Sequence, residues 1–178
     1  TGHSSLAEWG FKHMEVAKDN ICLDIGCGGG ANVKRLLKKA PDGKVTGIDY
    51  SEISVEKSKK LNKAKIENKR CEILEGNVME LPFGNEAFDV ITAFETIYFW
   101  PDIIKAFKQV YRVLKNTGTF MICNEVTGEN PKEEKWTAII KGMMIYSPEQ
   151  LERVLVNAGF EDIRTYKENS WLCIVCRK

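Results

Sequence analysis

A strand, a glycine-rich loop and a helix follow one another near the start of this chain, and this succession constrains the fold more than any other segment. Residues 21–25 are apolar or strand-forming apart from one aspartate, and glycine fills four of the five positions 26–30. Apolar residues then recur at helical spacing over 31–40. Glycines let a ligand approach the backbone, and the free N–H groups at a helix start favour polar or anionic groups. The segment therefore predicts a nucleotide-like ligand at the carboxyl end of a buried strand.

The spacing of the glycines leaves one alternative open. The dinucleotide fingerprint would place its three small residues at Gly26, Gly28 and position 31, which is Ala31 in this chain. A nicotinamide-dependent oxidoreductase is therefore an alternative function. The chain shows neither a separate substrate domain nor a catalytic Tyr/Lys pair that would support it.

The composition excludes several classes of protein. The chain has 178 residues, and we expect one domain over 1–178. Twenty-six basic and 25 acidic residues leave a formal net charge of +1, so no long-range field favours nucleic acid as a partner. No apolar run approaches the ~20 residues that span a bilayer, so we expect no membrane partner.

The six cysteines indicate a reducing compartment. Cys22, Cys123 and Cys173 lie within apolar strand-like runs, as reduced buried thiols do, and we expect a cytoplasmic protein. Cys173 and Cys176 form a Cys-x-x-Cys pair within a predicted strand, where such positions point to opposite faces. We therefore expect no metal site there.

Strand-like and helix-like patterns alternate along nearly the whole chain, which is typical of an α/β fold with a mainly parallel sheet. An amphipathic helix is predicted within residues 1–18. Segment 125–146 interrupts the alternation, and we interpret it as an insertion. It predicts either a lid that contributes to substrate binding or a helix packed on the edge of the sheet.

The segment Asp24-x-Gly26-x-Gly28-x-Gly30 resembles the first motif of class I S-adenosylmethionine (SAM)-dependent methyltransferases. The resemblance extends from Ile21 to the C-terminus. It implies a Rossmann-like three-layer sandwich, with helices on both faces of a seven-stranded, mostly parallel sheet. In that family the strand order is 3-2-1-4-5-7-6 and strand 7 is antiparallel. It also implies SAM as the cofactor and S-adenosylhomocysteine as the product.

Three further loops each follow a predicted strand, and the resemblance assigns them to the cofactor. Asp49 can accept hydrogen bonds from the vicinal hydroxyls of a ribose, 23 positions after Gly26. In the family, backbone of the glycine loop lies against the methionine part, and an aspartate like Asp24 holds its amino group. The cofactor-binding residues predicted on this basis are Asp24, Gly26, Cys27, Gly28, Asp49, Tyr50, Ser51, Asn77, Val78, Phe94 and Glu95.

One of these residues departs from the family pattern. Segment 76–83 resembles the family's Gly-Asp-Ala-x-x-Leu-Pro-Phe, in which the acidic residue accepts a bond from the adenine amino group, and Asn77 replaces that residue. An amide oxygen can also accept this bond, so we expect adenine recognition to persist with less electrostatic help. The Val78 N–H is the predicted donor to a ring nitrogen of adenine.

The residues that contact the methyl acceptor are less constrained by the pattern. Glu95 and Tyr98 are the candidate catalytic residues, should the acceptor need a base, and His3 and His13 are the remaining titratable candidates. Tyr98 and Trp100 can instead be core aromatics. The predicted substrate-binding residues are Trp9, Tyr98, Trp136, Met143 and Tyr146.

The acceptor is expected to be a small molecule. The Asn-Pro-Pro-Tyr type of motif that marks base-flipping amino-methyltransferases is absent, and so is a basic arm. The sequence therefore predicts in-line transfer of a methyl group from SAM to a small-molecule acceptor. A non-catalytic SAM-binding module that acts through a partner is a second alternative.

Overall fold

The computed structural model describes residues 2–178. Seven strands form one sheet in the order β3-β2-β1-β4-β5-β7-β6. The strands are β1 Ile21–Ile25, β2 Lys44–Asp49, β3 Cys71–Glu75, β4 Phe88–Phe94, β5 Leu114–Asn124, β6 Glu161–Glu168 and β7 Trp171–Arg177. Strands β1 to β5 pair in parallel, whereas β7 is antiparallel to both β5 and β6. The predicted strand order and the antiparallel seventh strand are confirmed.

One helix precedes the first strand, and the others lie between successive strands. They are α1 Gly2–Phe11, α2 Ala31–Lys39, α3 Glu52–Leu61, α4 Lys63–Glu67, α5 Ile103–Val113, α6 Glu134–Ile139 and α7 Pro148–Ala158. Short 3₁₀ turns occur at Val78–Glu80, Ile97–Phe99 and Pro131–Glu133. None of the helices within residues 2–178 combines the length and the apolar character needed to cross a membrane.

Two hydrophobic clusters lie on opposite faces of the sheet, because successive strand residues point to opposite sides. Leu23 and Ile25 of β1 belong to one cluster, which also contains the buried faces of α5 and α7. Cys22, the residue before Leu23 in β1, belongs to the other cluster, with the buried residues of α1 and α2. The sheet is therefore covered by helices on both faces, as the resemblance implied.

The N-terminal helix is shorter than the predicted 1–18, of which residue 1 lies outside the described residues. Helix α1 ends at Phe11, and the N–H groups of Lys12 and His13 bond to carbonyls three residues back instead of four. His13 then stacks on Tyr166 of β6, with ring centroids 4.0 Å apart. Packing against a strand distant in sequence therefore ends the helix, and the local pattern did not reveal this.

Capping residues begin and end helix α7. The Ser147 side chain accepts from the Gln150 N–H, and the Gln150 side chain accepts from the Ser147 N–H, which forms a complete capping box. Pro148 occupies the first helical position, and Gly159 ends the helix with a left-handed φ of +109°. Local chemistry alone therefore fixes this helix.

Segment 125–146 folds as an irregular insertion with little burial of its own. Helix α6 buries no residue, and Trp136 and Ile139 are 42% and 72% exposed. The Glu133 carboxylate accepts from the N–H groups of Thr127 and Gly128, which closes the base of the insertion. The expectation of a helix packed on the sheet edge is therefore wrong for α6.

One polar pair bridges β1 and β4 inside the sheet. Asp24 is 1% exposed, and its Oδ1 accepts a hydrogen bond from Thr92 Oγ1 at 2.7 Å. These two residues are also register partners in the parallel ladder. Burial is the main cause that raises the pKa of Asp24 to about 7. The Thr92 hydrogen bond lowers this pKa, and the nearby charge of Asp49 raises it further. The carboxyl group is thus held where its charged form is poorly solvated.

The core of helix α5 generates a stability prediction. The Phe107 side chain is fully buried and contacts the rings of Trp100 and Phe120, with centroids 6.0 and 5.7 Å away. We expect Phe107→Ala to lower the free energy of unfolding by about 3–5 kcal/mol, because it leaves a cavity in a packed layer. Ile104→Ala, on the exposed side of the same helix, is the matched control and should change stability by less than about 0.5 kcal/mol. Urea unfolding followed by circular dichroism measures both, and equal losses would contradict the assigned packing.

The buried Asp24 generates a prediction about pH. Its pKa is about 7 in the folded protein against 3.8 in the unfolded chain, so the folded state holds a proton that the unfolded chain releases between these values. The free energy of unfolding should therefore fall as the pH rises from about 4 to about 7. In the Asp24→Asn variant this fall should be smaller, because the amide doesn't titrate. Urea midpoints at a series of pH values measure the difference, and parallel curves for the two proteins would contradict it.

Candidate functional site

A cavity of about 570 Å³ opens at the carboxyl ends of the parallel strands. This is where open α/β sheets bind ligands, and the volume falls in the range of small-molecule sites. The lining residues come from the ends of β1, β2, β3 and β4 and from the loops that follow them: Ile25, Gly26, Ile48, Asp49, Tyr50, Gly76, Asn77, Val78, Glu95, Thr96, Phe99, Trp100 and Pro101.

The glycine loop is fixed to β2 by its backbone. The N–H groups of Gly26 and Cys27 both donate to the Ile48 carbonyl, at 2.8 and 3.1 Å. Gly26 has a φ of +71°, and a Cβ there would lie 2.1 Å from Thr96 Oγ1. Glycine is therefore required at this position both by backbone conformation and by the approach of the loop after β4.

Gly28 and Gly29, the next two glycines, have open space where a side chain would stand. A Cβ at Gly28 or Gly29 would meet no atom within 4 Å. The loop therefore presents bare backbone with open space above it. Gly30 is again constrained, since its φ is +88° and a Cβ would lie 2.4 Å from Ser58 Oγ.

Asp49 joins the glycine loop to the start of α3. Its Oδ2 accepts from the Gly28 N–H at 2.8 Å, and its Oδ1 accepts from the Ser51 N–H at 2.9 Å. Ser51 in turn caps α3 by accepting from the Ser54 N–H. A carboxylate has about four acceptor positions, so each oxygen of Asp49 keeps one for a ligand in the cavity.

Tyr50, Asn77 and Val78 line the far side of the same cavity. The Tyr50 ring is 81% exposed and stands at the rim. Asn77 Oδ1 accepts from the Met79 N–H at 2.9 Å and so caps the 3₁₀ turn that contains Val78. The structure thus brings together six of the predicted cofactor residues around one cavity: Gly26, Asp49, Tyr50, Asn77, Val78 and Glu95.

Other predicted cofactor residues lie behind or beside the cavity lining. Asp24 points into the sheet toward Thr92. Cys27 is buried against Ser58, and burial raises the pKa of its thiol to about 12. Phe94 packs on Phe11, with ring centroids 5.2 Å apart. These three side chains are buried and do not line the cavity. Gly28 and Ser51 contact Asp49 through their N–H groups and adjoin the cavity by that route.

Glu95 is the titratable side chain that reaches the cavity from the loop after β4. Its Oε1 accepts from the Tyr98 hydroxyl at 3.1 Å and from the Glu125 N–H. Burial raises the pKa of Glu95 to about 7, and Glu125 adds to this effect. Tyr98 is 3% exposed, and burial together with Glu95 raises the pKa of its hydroxyl. Tyr98 is therefore a core aromatic with a polar tip rather than an exposed substrate contact.

The other predicted substrate residues do not line this cavity. Trp9 packs on His13 and on Trp171 of β7, a strand that contributes no residue to the cavity lining. The Trp9 side chain of α1 therefore does not close the cavity. Trp136 is exposed on α6, Met143 is partly exposed beside it, and Tyr146 packs against the core near α7. The insertion touches the site region through two N–H groups: that of Glu125 donates to Glu95, and that of Met144 donates to the Tyr98 carbonyl at 2.7 Å.

Sequence reasoning missed several lining residues. Thr96, Phe99 and Pro101 line the cavity next to Trp100, and Thr96 also contacts Gly26. Their place after β4 was the signal available, but a 3₁₀ turn at Ile97–Phe99 decides which of them face inward. No group of three or more His, Cys, Asp or Glu side chains within residues 2–178 has a geometry suited to a metal ion.

Comparison with known proteins places the cavity in a family context. Residues 23–122 match the family model described as a methyltransferase domain, which is more than half of the 178 residues. The demethylmenaquinone methyltransferase of Listeria welshimeri is 31% identical over 164 residues, which cover 91% of this chain and 64% of that protein. The chain therefore spans less than two thirds of the length of this curated relative.

Two solved structures share the fold at lower identity. A SAM-dependent methyltransferase from Aquifex aeolicus has a TM-score of 0.75 and 22% identity, over 96% of this chain and 88% of that one. The [4+2]-cyclase SpnF has a TM-score of 0.82 and 19% identity, over 98% and 80%. The segment matched by the family model contains the glycine loop, Asp49, Asn77 and the loop after β4, and the chain accordingly belongs to the methyltransferase domain family.

Proposed function

We propose that this chain transfers a methyl group from SAM to a small-molecule acceptor. The observation that carries the proposal is the hydrogen bonding of the Asp49 carboxylate at the end of β2. Its two oxygens accept one backbone N–H each, and each retains an acceptor position toward the cavity. Two vicinal hydroxyls of a ribose match that pair of positions.

The surrounding residues fit the rest of this cofactor. The open space above Gly28 and Gly29 accommodates a group laid directly on the loop backbone. Tyr50 can cover one side of a purine ring, and Asn77 and the Val78 N–H can bond to its edge. When bound, SAM supplies an electrophilic methyl group on a sulfonium sulfur. The protein supplies alignment, and holding the reacting atoms ~3–3.5 Å apart contributes on the order of 7–11 kcal/mol.

The acceptor side is formed by the loop after β4. Phe99, Trp100 and Pro101 give this part of the cavity an apolar and aromatic lining, which suits an apolar or aromatic small molecule. The Listeria relative is named for demethylmenaquinone, an acceptor of that general kind. The near-neutral net charge of +1 supports a small molecule over nucleic acid.

The setting proposed for this activity is the cytoplasm, without a membrane partner. All six cysteines are buried and unpaired, which fits a reducing compartment. One domain over 1–178 carries the whole site, since the lining residues all fall between Ile25 and Pro101.

A non-catalytic SAM-binding module is the second candidate. The exposed apolar side chains of the insertion, Trp136, Ile139 and Met144, favour keeping it, because an uncovered apolar patch marks a site where a partner can dock. An acceptor library incubated with SAM, with S-adenosylhomocysteine as the readout, separates the two. Turnover with any acceptor supports methyl transfer. Tight SAM binding without turnover on any acceptor supports the module.

We expect Asp49→Ala to weaken SAM binding at least tenfold. The variant removes two hydrogen bonds to a charged acceptor, each worth about 1.5–3 kcal/mol, and 1.4 kcal/mol corresponds to a factor of ten. Isothermal titration calorimetry with SAM measures the change, and a parallel titration with NAD tests the oxidoreductase alternative.

The matched control for this prediction is Asp42→Ala. Asp42 is exposed on the turn before β2, so its removal changes the net charge equally without touching the cavity. Circular dichroism melts show whether each variant is folded. Unchanged SAM affinity in a folded Asp49→Ala variant would rule out the assigned role of this carboxylate.

A further inference from the structure

Glu95 sits at a reversal of the chain directly after β4. Its φ is +54°, which is a left-handed conformation that side chains other than glycine adopt at a cost of about 1–2 kcal/mol. The residue before it, Phe94, points into the core, and the reversal turns the Glu95 carboxyl toward the cavity. Such strain persists where surrounding contacts hold the residue in place.

Those contacts fix one oxygen of the carboxyl group. The Tyr98 hydroxyl and the Glu125 N–H both donate to Oε1. Tyr98 belongs to the 3₁₀ turn after β4 and Glu125 follows β5, so the carboxyl is anchored from two different loops. Within residues 2–178, the buried side-chain atoms that lack a partner are His13 Nε2 and Asn124 Oδ1. Glu95 Oε2 receives neither donor and is not among these atoms, and Glu95 is one of the residues that line the cavity.

The charged and titratable groups around Glu95 come from four elements. They are Tyr98, Glu125 after β5, Cys123 in β5, and His3 in α1, which lies 3.3 Å from Glu125. Burial is the main cause of the raised pKa of about 7, Glu125 raises it further, and the donors and His3 lower it. A carboxyl group in this range can take up and release a proton near neutral pH.

We propose that Glu95 is a catalytic residue whose Oε2 takes the proton of an acceptor that carries an O–H or N–H group. This inference rests on the proposed methyl transfer. In the step, the acceptor oxygen or nitrogen forms a bond to the methyl carbon, and the bond from that carbon to sulfur breaks with its electron pair remaining on sulfur. The acceptor proton moves to Oε2. The acceptors are therefore alcohols, phenols or amines rather than preformed thiolates.

Tyr98 is the positioning residue in this arrangement. Its hydroxyl donates to Oε1, so it both orients the carboxyl group and stabilises its charged form. Tyr98 cannot itself take the acceptor proton, because burial raises the pKa of its hydroxyl and so keeps that group protonated. The residue is also only 3% exposed. His3 is exposed and paired with Glu125. Asp49, the other carboxylate that lines the cavity, is assigned to the cofactor, which leaves Glu95 as the base on the acceptor side.

The first test is a direct titration of the carboxyl group. Infrared difference spectra of the wild type minus Glu95→Gln, recorded with bound S-adenosylhomocysteine over pH 5–9 (about the range of the expected transition), report the protonated carboxyl band. We expect the band to disappear with a midpoint near 7. Complete ionisation already at the acid end of the range would overturn the proposal.

The second test uses turnover with the acceptors that the library identifies. For phenol, alcohol or amine acceptors, Glu95→Gln should lower kcat by about 100-fold or more while KM stays within about threefold. For thiols that are already ionised at the assay pH, kcat should change by less than about threefold, because no proton has to move. Equal losses with both kinds of acceptor would show a structural role and overturn the proposal.

Two neighbouring variants give shifts in opposite directions. Tyr98→Phe removes a donor that lowers the Glu95 pKa, so the acid limb of the kcat profile should move to higher pH. Glu125→Gln removes a like charge, so the limb should move to lower pH. If the Glu95 carboxyl group has only a structural role, the acid limb should stay at the wild-type pH in both variants, and that result would overturn the proposal.

The outcomes distinguish this inference from the proposed function. If the wild type binds no SAM and forms no S-adenosylhomocysteine, the proposed function fails and the role of Glu95 fails with it. If the wild type turns over and Glu95→Gln matches it on phenols and amines, only the role of Glu95 fails. A variant that chiefly loses affinity for SAM would assign the carboxyl group to cofactor binding and would also overturn the proposal.

Discussion

The bridge that Asp49 makes between two loops is the interaction on which the site depends. One carboxylate holds the Gly28 N–H of the glycine loop and the Ser51 N–H at the start of α3. Charge-assisted bonds of this kind are about twice as strong as neutral ones. The same group therefore ties the glycine loop to the start of α3, and it lines the cavity. The structural and ligand-facing roles cannot be separated, because both use the same two oxygens.

Left-handed residues close the cavity at the ends of β1 and β4. Gly26, at φ +71°, and Glu95, at φ +54°, each turn the chain out of the sheet. The side chain of Thr96 then lies over Gly26, where any Cβ would collide with it. The first reversal is eased by the absence of a side chain. The second carries a carboxyl group that two donors hold in place, so its strain is offset by contacts made only in this conformation.

Much of the fold follows from the sequence because its determinants are local. The alternation of strand-like and helix-like patterns predicted the α/β fold, and α7 begins at a capping box formed by Ser147 and Gln150. The glycine and aspartate spacing identified the ends of β1 and β2, where backbone meets ligand. The predicted end of the N-terminal helix failed for a different reason. Helix α1 ends early because His13 stacks on Tyr166, a residue far away in sequence.

The same distinction explains why the acceptor side resisted prediction. The proposed cofactor side uses backbone groups, whose requirements appear in the sequence as glycines and one aspartate at fixed spacing. The proposed acceptor side uses side chains on a 3₁₀ turn after β4, where a shift of one residue changes which side chains face inward. Tyr98 was a candidate contact and is a buried partner of Glu95, whereas the neighbouring Phe99 lines the cavity. SpnF shares the fold and is named a cyclase, so the chemistry of such proteins must be decided by loops of this kind rather than by the sheet.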